Sequence, residues 1–282
     1  MKIYFAAHAT TTDNENEIAT GWNPGELSEL GIRQAKKMPE QLRGLKFDII
    51  CTSDLKRAVD TVNIAFDDKY LIIIDKRLRE LDYGDFNGKP SDIVGHMKKE
   101  RIKQSFPNGE SYEQAMIRTH DFYSELKEKY PDKTILVVGH RATQFGLDTL
   151  TSKTIEECLS KPFKWQPYWE YDNVPDKMGF AEDIVPQVFD GKISTWRLRE
   201  RKFKVGDVVA FENSGTGEIF GTGEITKVIK TTVGEIDLKD KTHYKTYENR
   251  QELIDAFKRH NPSYTINNDT PVFAYTYKFR AK

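Results

Sequence analysis

The chain has little cysteine. Cys51 and Cys158 are the only two in 282 residues. Two cysteines are too few for a disulfide framework, and neither stands in a Cys-x-x-Cys metal spacing. Long apolar runs are also missing. No stretch approaches the roughly 18 residues that a membrane helix needs. The apolar opening Met1-Lys2-Ile3-Tyr4-Phe5 meets polar residues by Thr10, too soon for a secretory leader. A cytoplasmic location with no membrane partner is therefore expected. Charge of one sign is not in excess either, because the formal net charge is −1. Lys and Arg number 26 against 29 Asp and Glu over residues 1–177, and 17 against 15 over 178–282. Neither half has the basic surplus of a nonspecific nucleic-acid binder. Internal repeats and low-complexity tracts are absent as well.

What remains is enough for packed cores: 38% of all residues are hydrophobic and 12% aromatic, beside 31% charged. The length suggests two domains. Residues 2–7, 47–51, 71–74 and 134–138 read as short strands. The run Leu71-Ile72-Ile73-Ile74 has the continuous apolar character of a strand buried on both faces. Helices are expected from Ile32 to Leu42, over 54–66, over 111–130 and from Arg141 onward, with Thr52-Ser53-Asp54 as capping residues. This alternation predicts a layered α/β/α domain with a mostly parallel sheet. Beyond about residue 178 the texture becomes β-rich. Short runs at 208–211, 219–220, 225–229 and 272–279, with one helix at 249–260, predict a small β-barrel of α+β type. Ser214-Gly215-Thr216-Gly217-Glu218 resembles a phosphate loop only in composition. It lacks the Lys-Ser/Thr of a P-loop and reads as a hairpin turn.

Parallel sheets bind ligands beyond the carboxyl ends of their strands. Three predicted strand ends carry polar residues able to do chemistry: His8, the segment 53–57, and His140. Around them the sequence reads Ala7-His8-Ala9-Thr10-Thr11-Thr12-Asp13-Asn14, Gly21-Trp22, Leu27-Ser28-Glu29-Leu30-Gly31 and Ser53-Asp54-Leu55-Lys56-Arg57-Ala58. It continues with Leu78-Arg79-Glu80-Leu81-Asp82-Tyr83-Gly84-Asp85, Phe106-Pro107-Asn108-Gly109-Glu110-Ser111 and Val138-Gly139-His140. In order and spacing these pieces resemble the histidine phosphatase (phosphoglycerate mutase-like) superfamily, and place such a domain at residues 1–175.

The resemblance implies a metal-independent phosphoric monoester hydrolase. His8 becomes the nucleophile that carries a phosphohistidine, Arg57 grips the phosphoryl oxygens, and His140 stabilises their growing charge. Glu80 becomes the general acid, then the base for water. Thr11 and Asn14 are implied at the substrate. His96 and His120 match nothing and read as surface or packing residues. The chain departs from the family where Ala7 replaces Arg, Ala9 replaces Gly and Thr10 replaces Glu. Two readings follow. Either Arg141, beside His140, supplies the missing cation as a substrate-binding residue, or the site is a catalytically degenerate phosphatase fold that senses phosphate or binds RNA. The short catalytic half favours phosphatase over mutase.

The second half offers Asp190-Gly191-Lys192-Ile193-Ser194-Thr195-Trp196-Arg197, then Gly206-Asp207. This resembles the ASCH domain, a PUA-like fold, over residues 178–282. The resemblance implies a nucleotide or RNA ligand at Lys192, Thr195, Arg197 and Glu248. In some small members, Lys, Thr and Glu hydrolyse N4-acylcytosine nucleosides. If residues 195–202 are extended, Arg197, Arg199 and Arg201 share one face, suited to a phosphate backbone or to a solvated edge. The expected partners are thus a small phosphorylated substrate and a nucleotide or RNA.

Overall fold

A computed structural model describes residues 1–66, 69–151, 153–172 and 174–282. The chain divides into two compact units, one built from Met1–Val174 with Thr216–Glu218 and one from Pro175–Gly215 and Ile219–Lys282.

In chain order the first unit contains β1 (Lys2–Ala7), α1 (Thr12–Glu15), β2 (Ile18–Ala19), α2 (Glu29–Gln41), β3 (Ile49–Thr52) and α3 (Lys56–Phe66). It continues with β4 (Leu71–Ile74), β5 (Lys89–Pro90), α4 (Ser91–Met97), α5 (Tyr112–Lys129), β6 (Thr134–Gly139), α6 (Arg141–Thr151), α7 (Ile155–Ser160) and β7 (Trp169–Tyr171). The main sheet runs β4-β3-β6-β1-β7. The first four strands are parallel and β7 joins antiparallel. β2 and β5 form a separate two-stranded ribbon.

Strand period decides which side chains meet which helices. Tyr4, Ala6, Ile50, Leu136 and Val138 point to one face and pack with Met38 and Leu42 of α2 and Val62, Ala65 and Phe66 of α3. The alternate residues Ile3, Phe5, Cys51, Ile135 and Val137 are buried as completely on the other face. There α5 and α6 pack together, with Tyr123 of α5 near Cys51. A layered α/β sheet with mostly parallel strands is thus present. One expectation fails. β4 is an edge strand, and its Leu71 and Ile74 are 57% and 52% exposed. A continuous apolar run does not distinguish a strand buried on both faces from one that pairs on a single side.

The second unit contains β8 (Asp176–Phe180), α8 (Val185–Phe189), β9 (Ser194–Arg197), β10 (Val208–Asn213), β11 (Ile219–Thr232), α9 (Arg250–His260) and β12 (Pro271–Ala281). Its sheet runs β8-β10-β11-β12-β9, with only the β8–β10 pair parallel. The expected barrel is replaced by a five-stranded sheet with β8 and β9 at its edges. The two runs read at 219–220 and 225–229 belong to one strand, β11, whose register shifts between Ile225 and Lys227. Such an irregularity breaks the apolar alternation that would have marked a single strand. Residues 214–218 turn between the antiparallel β10 and β11, as a hairpin. Phe180, Phe211, Tyr275 and Tyr277 fill one core, and Val233, Leu253, Phe257 and Val272 another.

Candidate active site

β1, β6 and β3 lie side by side, and their carboxyl ends deliver His8, His140 and Ser53 to one place. The registers Ala7↔Gly139 and Thr52↔Val138 put the three ends level. The His8 and His140 rings stand 5.0 Å apart between centroids. His8 Nδ1 lies 2.8 Å from the Ala9 carbonyl oxygen. A carbonyl only accepts, so Nδ1 carries the proton and Nε2 keeps a lone pair. Burial, and then the charge of Arg57, lower the His8 pKa to about 3, so the ring is neutral at physiological pH. Gly31 allows this loop to close, because a Cβ there would meet the Thr10 carbonyl oxygen at 1.9 Å.

His140 is buried, and burial drives its pKa well down, helped by Arg57, His8 and Arg118. Its Nε2 lies 2.6 Å from Ser53 Oγ, which accepts from the Leu55 N–H. Ser53 has one proton to give. Donated to Nε2, it leaves the His140 proton on Nδ1, a buried atom with no partner among the described residues. A buried, unmatched donor beside His8 suits an incoming oxyanion.

Arg57 rises from the first turn of α3 and is buried. Its guanidinium donates to the carbonyls of Gly21, Asn23 and Pro24 at 2.8, 2.9 and 3.4 Å. Its charge acts on both imidazoles, and the charge of Glu80 acts back on it. The four residues singled out in sequence therefore share one region. Glu80 accepts at Oε1 from the Leu81 and Ala142 N–H groups and at Oε2 from the Arg141 N–H. Its own carbonyl accepts from Trp22 Nε1 and Arg118 Nη2, at 2.7 and 2.9 Å.

Three further candidates stand differently from the sequence reading. Thr11 and Asn14 form a capping box on α1: Thr11 Oγ1 accepts from the Asn14 N–H, and Asn14 Oδ1 from the Thr11 N–H. Both oxygens are committed to the backbone. Arg141 does not offer the missing cation at the imidazole pair. Its Nη1 donates to Gln144 Oε1 at 2.6 Å, and its guanidinium lies 4.5 Å from the Phe145 ring and 5.4 Å from the Phe163 ring. Arg57 and Arg118, not Arg141, are the cations whose charge reaches His140. Sequence reasoning missed Ser53 as the His140 partner and Arg118 as a clamp. Arg118 pairs with Glu110 at 2.5 Å, so the 106–111 motif carried a signal for it. His120 is a core residue whose Nε2 meets Thr149 Oγ1.

In the second unit a cavity of about 360 Å³ is lined by Lys192, Thr195, Trp196, Arg197, His243, Lys245 and Tyr247, among others. Lys192 is 2% exposed and donates to the His243 carbonyl at 2.5 Å. Burial, and then Arg197, lower its pKa to about 7. Arg197 donates to the Gly179 carbonyl at 2.6 Å and lies over the Phe180 ring. Glu248 stands apart from this group. Its side chain is 82% exposed, pairs with Lys239 and does not line the cavity. The arginine stripe does not form either, because β9 ends at Arg197 and the chain bends at 198–199.

Comparison with known proteins bears on the first unit. The family model described as histidine phosphatase superfamily (branch 1) matches residues 3–160. A 2,3-bisphosphoglycerate-dependent phosphoglycerate mutase of Methylorubrum extorquens is 30% identical over 173 residues, covering 54% of this chain and 82% of its own. A Bacillus subtilis protein named uncharacterized phosphatase PhoE is 32% identical over 168 residues, covering 56% and 86%. The crystal structure of a putative alpha-ribazole-5'-P phosphatase from Escherichia coli superposes with a TM-score of 0.51 at 25% identity, covering 57% of this chain and 84% of that one.

Proposed function

Because the chain belongs to the histidine phosphatase superfamily, we propose that its first unit hydrolyses a small phosphomonoester through a phosphohistidine on His8. The observation that carries this reading is the 5.0 Å pairing of the His8 and His140 rings within the field of the buried Arg57. Nε2 of His8 attacks phosphorus, and the bond to the leaving oxygen breaks as Glu80 gives that oxygen a proton. Arg57 and the Nδ1–H of His140 receive the charge that spreads over the phosphoryl oxygens. In the second half, Glu80 takes a proton from water, the oxygen attacks phosphorus, and the N–P bond breaks. Phosphate leaves and His8 regains its lone pair. The compact extent of residues 1–175 favours hydrolysis over transfer to a second substrate.

Phosphate release from 4-nitrophenyl phosphate by the full chain, with chelator present, tests the reading. His8→Ala is expected to lower kcat by about 10³ or more. Acid-labile, base-stable phosphate is expected on the wild type alone. A second reading, a degenerate fold that only binds phosphate, is favoured by Ala7 and by the three carbonyls that already hold Arg57. Equal rates for wild type and His8→Ala leave that reading standing.

For the second unit we propose a nucleotide or RNA ligand, consistent with the ASCH-like motif around Lys192 and Thr195. The cationic side chains Lys192, Arg197 and Lys245 beside Trp196 and Tyr247 in one cavity support it. Titration of the full chain with single-stranded RNA and with nucleoside monophosphates at two salt concentrations is the test. Affinity that neither falls with salt nor weakens in Arg197→Gln would remove the idea.

A further inference from the structure

We propose that the cavity of the second unit takes a single nucleotide with its base stacked on Trp196, and that His243 is a built-in plug which the base displaces. This rests on the nucleotide reading of the second unit and narrows it from RNA to one nucleotide. Three observations meet here. First, Trp196 offers a platform. The rings of Tyr247 and Phe257 lie 6.4 Å from its own, and the indole packs against the core they belong to. The His243 ring lies parallel to it, with 3.6 Å between centroids and 4° between planes. A flat ring thus already lies where a base would stack. Second, His243 fills two positions at once. Its ring covers Trp196, and its carbonyl accepts from Lys192 Nζ at 2.5 Å. A ligand that replaces it meets an aromatic face and a buried ammonium together. That pair calls for a flat ring joined to an acceptor or an anion. Arg197 and Lys245 line the same cavity and favour the anion. A volume of about 360 Å³ lies at the small-ligand end of binding sites.

Third, the plug is held at a cost. His243 Nδ1 is buried and makes no hydrogen bond among the described residues. Burial, and then Lys192 and Arg197, lower the ring's pKa to about 2 with the Ser194 carbonyl opposing, so the imidazole stacks as a neutral ring. The next residue, Tyr244, has φ 76° and ψ −54°, the rare and strained form of the γ-turn. A flip of the His243–Tyr244 peptide relieves that angle and takes the carbonyl off Lys192. The hydrogen bond given up is the one from the Tyr244 N–H to the Lys241 carbonyl. Thr242 stays anchored, because its carbonyl accepts from the Ile193 N–H at 3.1 Å and its hydroxyl donates to Ser194 Oγ at 3.0 Å. A plug present in most molecules lowers the apparent affinity by the fraction of open slots.

The test titrates AMP and ribose 5-phosphate by calorimetry into the full chain. Trp196→Leu is expected to weaken AMP by about tenfold and ribose 5-phosphate by less than about twofold. Trp196→Phe is expected to keep part of the AMP affinity. His243→Ala is expected to tighten AMP by about threefold or more and to leave ribose 5-phosphate within about twofold. In the wild type, AMP is expected to move the His243 Cε1–H NMR signal downfield, out of the shielding of the indole. Melting curves check that each variant is folded. An equal loss of AMP and ribose 5-phosphate in Trp196→Leu, AMP affinity unimproved in His243→Ala, or an unmoved His243 signal overturns the proposal. Single-stranded RNA that binds where AMP does not also overturns it and leaves the nucleotide reading standing. If neither binds, the nucleotide reading fails on its own, and quinoline-2-carboxylate decides for the slot. Displacement of the His243 signal by that probe, lost in Trp196→Leu, upholds a slot for a ring and an anion, and a signal that stays refutes it.

Discussion

At the scale of single residues, the site rests on neutral imidazoles under a buried cation. His8 has its pKa lowered to about 3, first by burial and then by Arg57. Its nucleophilic form therefore persists well below pH 6.5, where a solvated histidine would begin to protonate. The acid limb of single-turnover phosphorylation is expected to lie below pH 5, followed by quenched-flow labelling. Removing the cation in Arg57→Met is expected to move the His8 pKa upward while leaving it below 6.5, since desolvation is the larger cause; NMR titration of the ring reads the shift. The lowered pKa also links to stability. Between pH 3 and 6.5 the unfolded chain binds the proton and the folded one does not, so this group adds stability as pH rises through that window. Glu80→Gln has no carboxyl proton to give, and its amide nitrogen cannot accept a backbone N–H as a carboxylate oxygen of Glu80 does. It is expected to slow hydrolysis of an alkyl phosphate by about 10²–10⁴, and of an aryl phosphate far less.

At the scale of elements, backbone donors at helix starts are matched by side chains placed three residues apart. Ser111 and Gln114 close a capping box on α5, the longest helix of the first unit. Ser111→Ala is expected to lower unfolding free energy by about 1 kcal/mol, measured by urea denaturation. α6 starts differently: the carboxylate of Glu80, distant in sequence, accepts from the first two helical N–H groups. One side chain thus anchors the helix that follows His140 and stands at the proposed chemistry. Its capping role is invisible in the local sequence, because Glu80 lies 61 residues before Arg141. The strands divide in the same way. Central β3 and β6 are covered on both faces, and removing one large side chain there leaves a cavity. Leu136→Ala is expected to cost about 2–5 kcal/mol in the same measurement. β4 has the same apolar texture but only one neighbour, and Ile74→Thr is expected to cost far less.

At the scale of the molecule, two units carry separate cores and separate polar groups held away from water. Lys192 belongs to the second. Its pKa is lowered to about 7 from 10.5 by burial and Arg197. The unfolded chain holds that proton up to about pH 10.5 and the folded chain only to about 7, so stability rises with pH across that range. The slope from this group alone approaches about 1.4 kcal/mol per pH unit. Lys192→Met is expected to flatten the stability curve of the second unit between pH 7 and 10, read by denaturant melts at several pH values. An unchanged slope would mean that the buried ammonium is compensated by a group not identified above.

Much of the first unit was legible before any coordinates. Strand-helix alternation gave a layered, mostly parallel sheet, and motif order gave its family. Chemistry-bearing residues at three strand ends pointed to one pocket, because parallel strands carry their carboxyl ends to the same edge. What the sequence left undetermined was direction. It placed Arg141 next to His140 but not which way the side chain turns, and the contacts with Phe145, Phe163 and Gln144 took the guanidinium away from the imidazoles. It offered Glu248 as a candidate ligand residue, but loop geometry put that carboxylate in solvent beside Lys239. Residue identity along a strand is local information, fixed by period and spacing. Which charges share a pocket depends on how remote segments pack, and only the tertiary structure decided that.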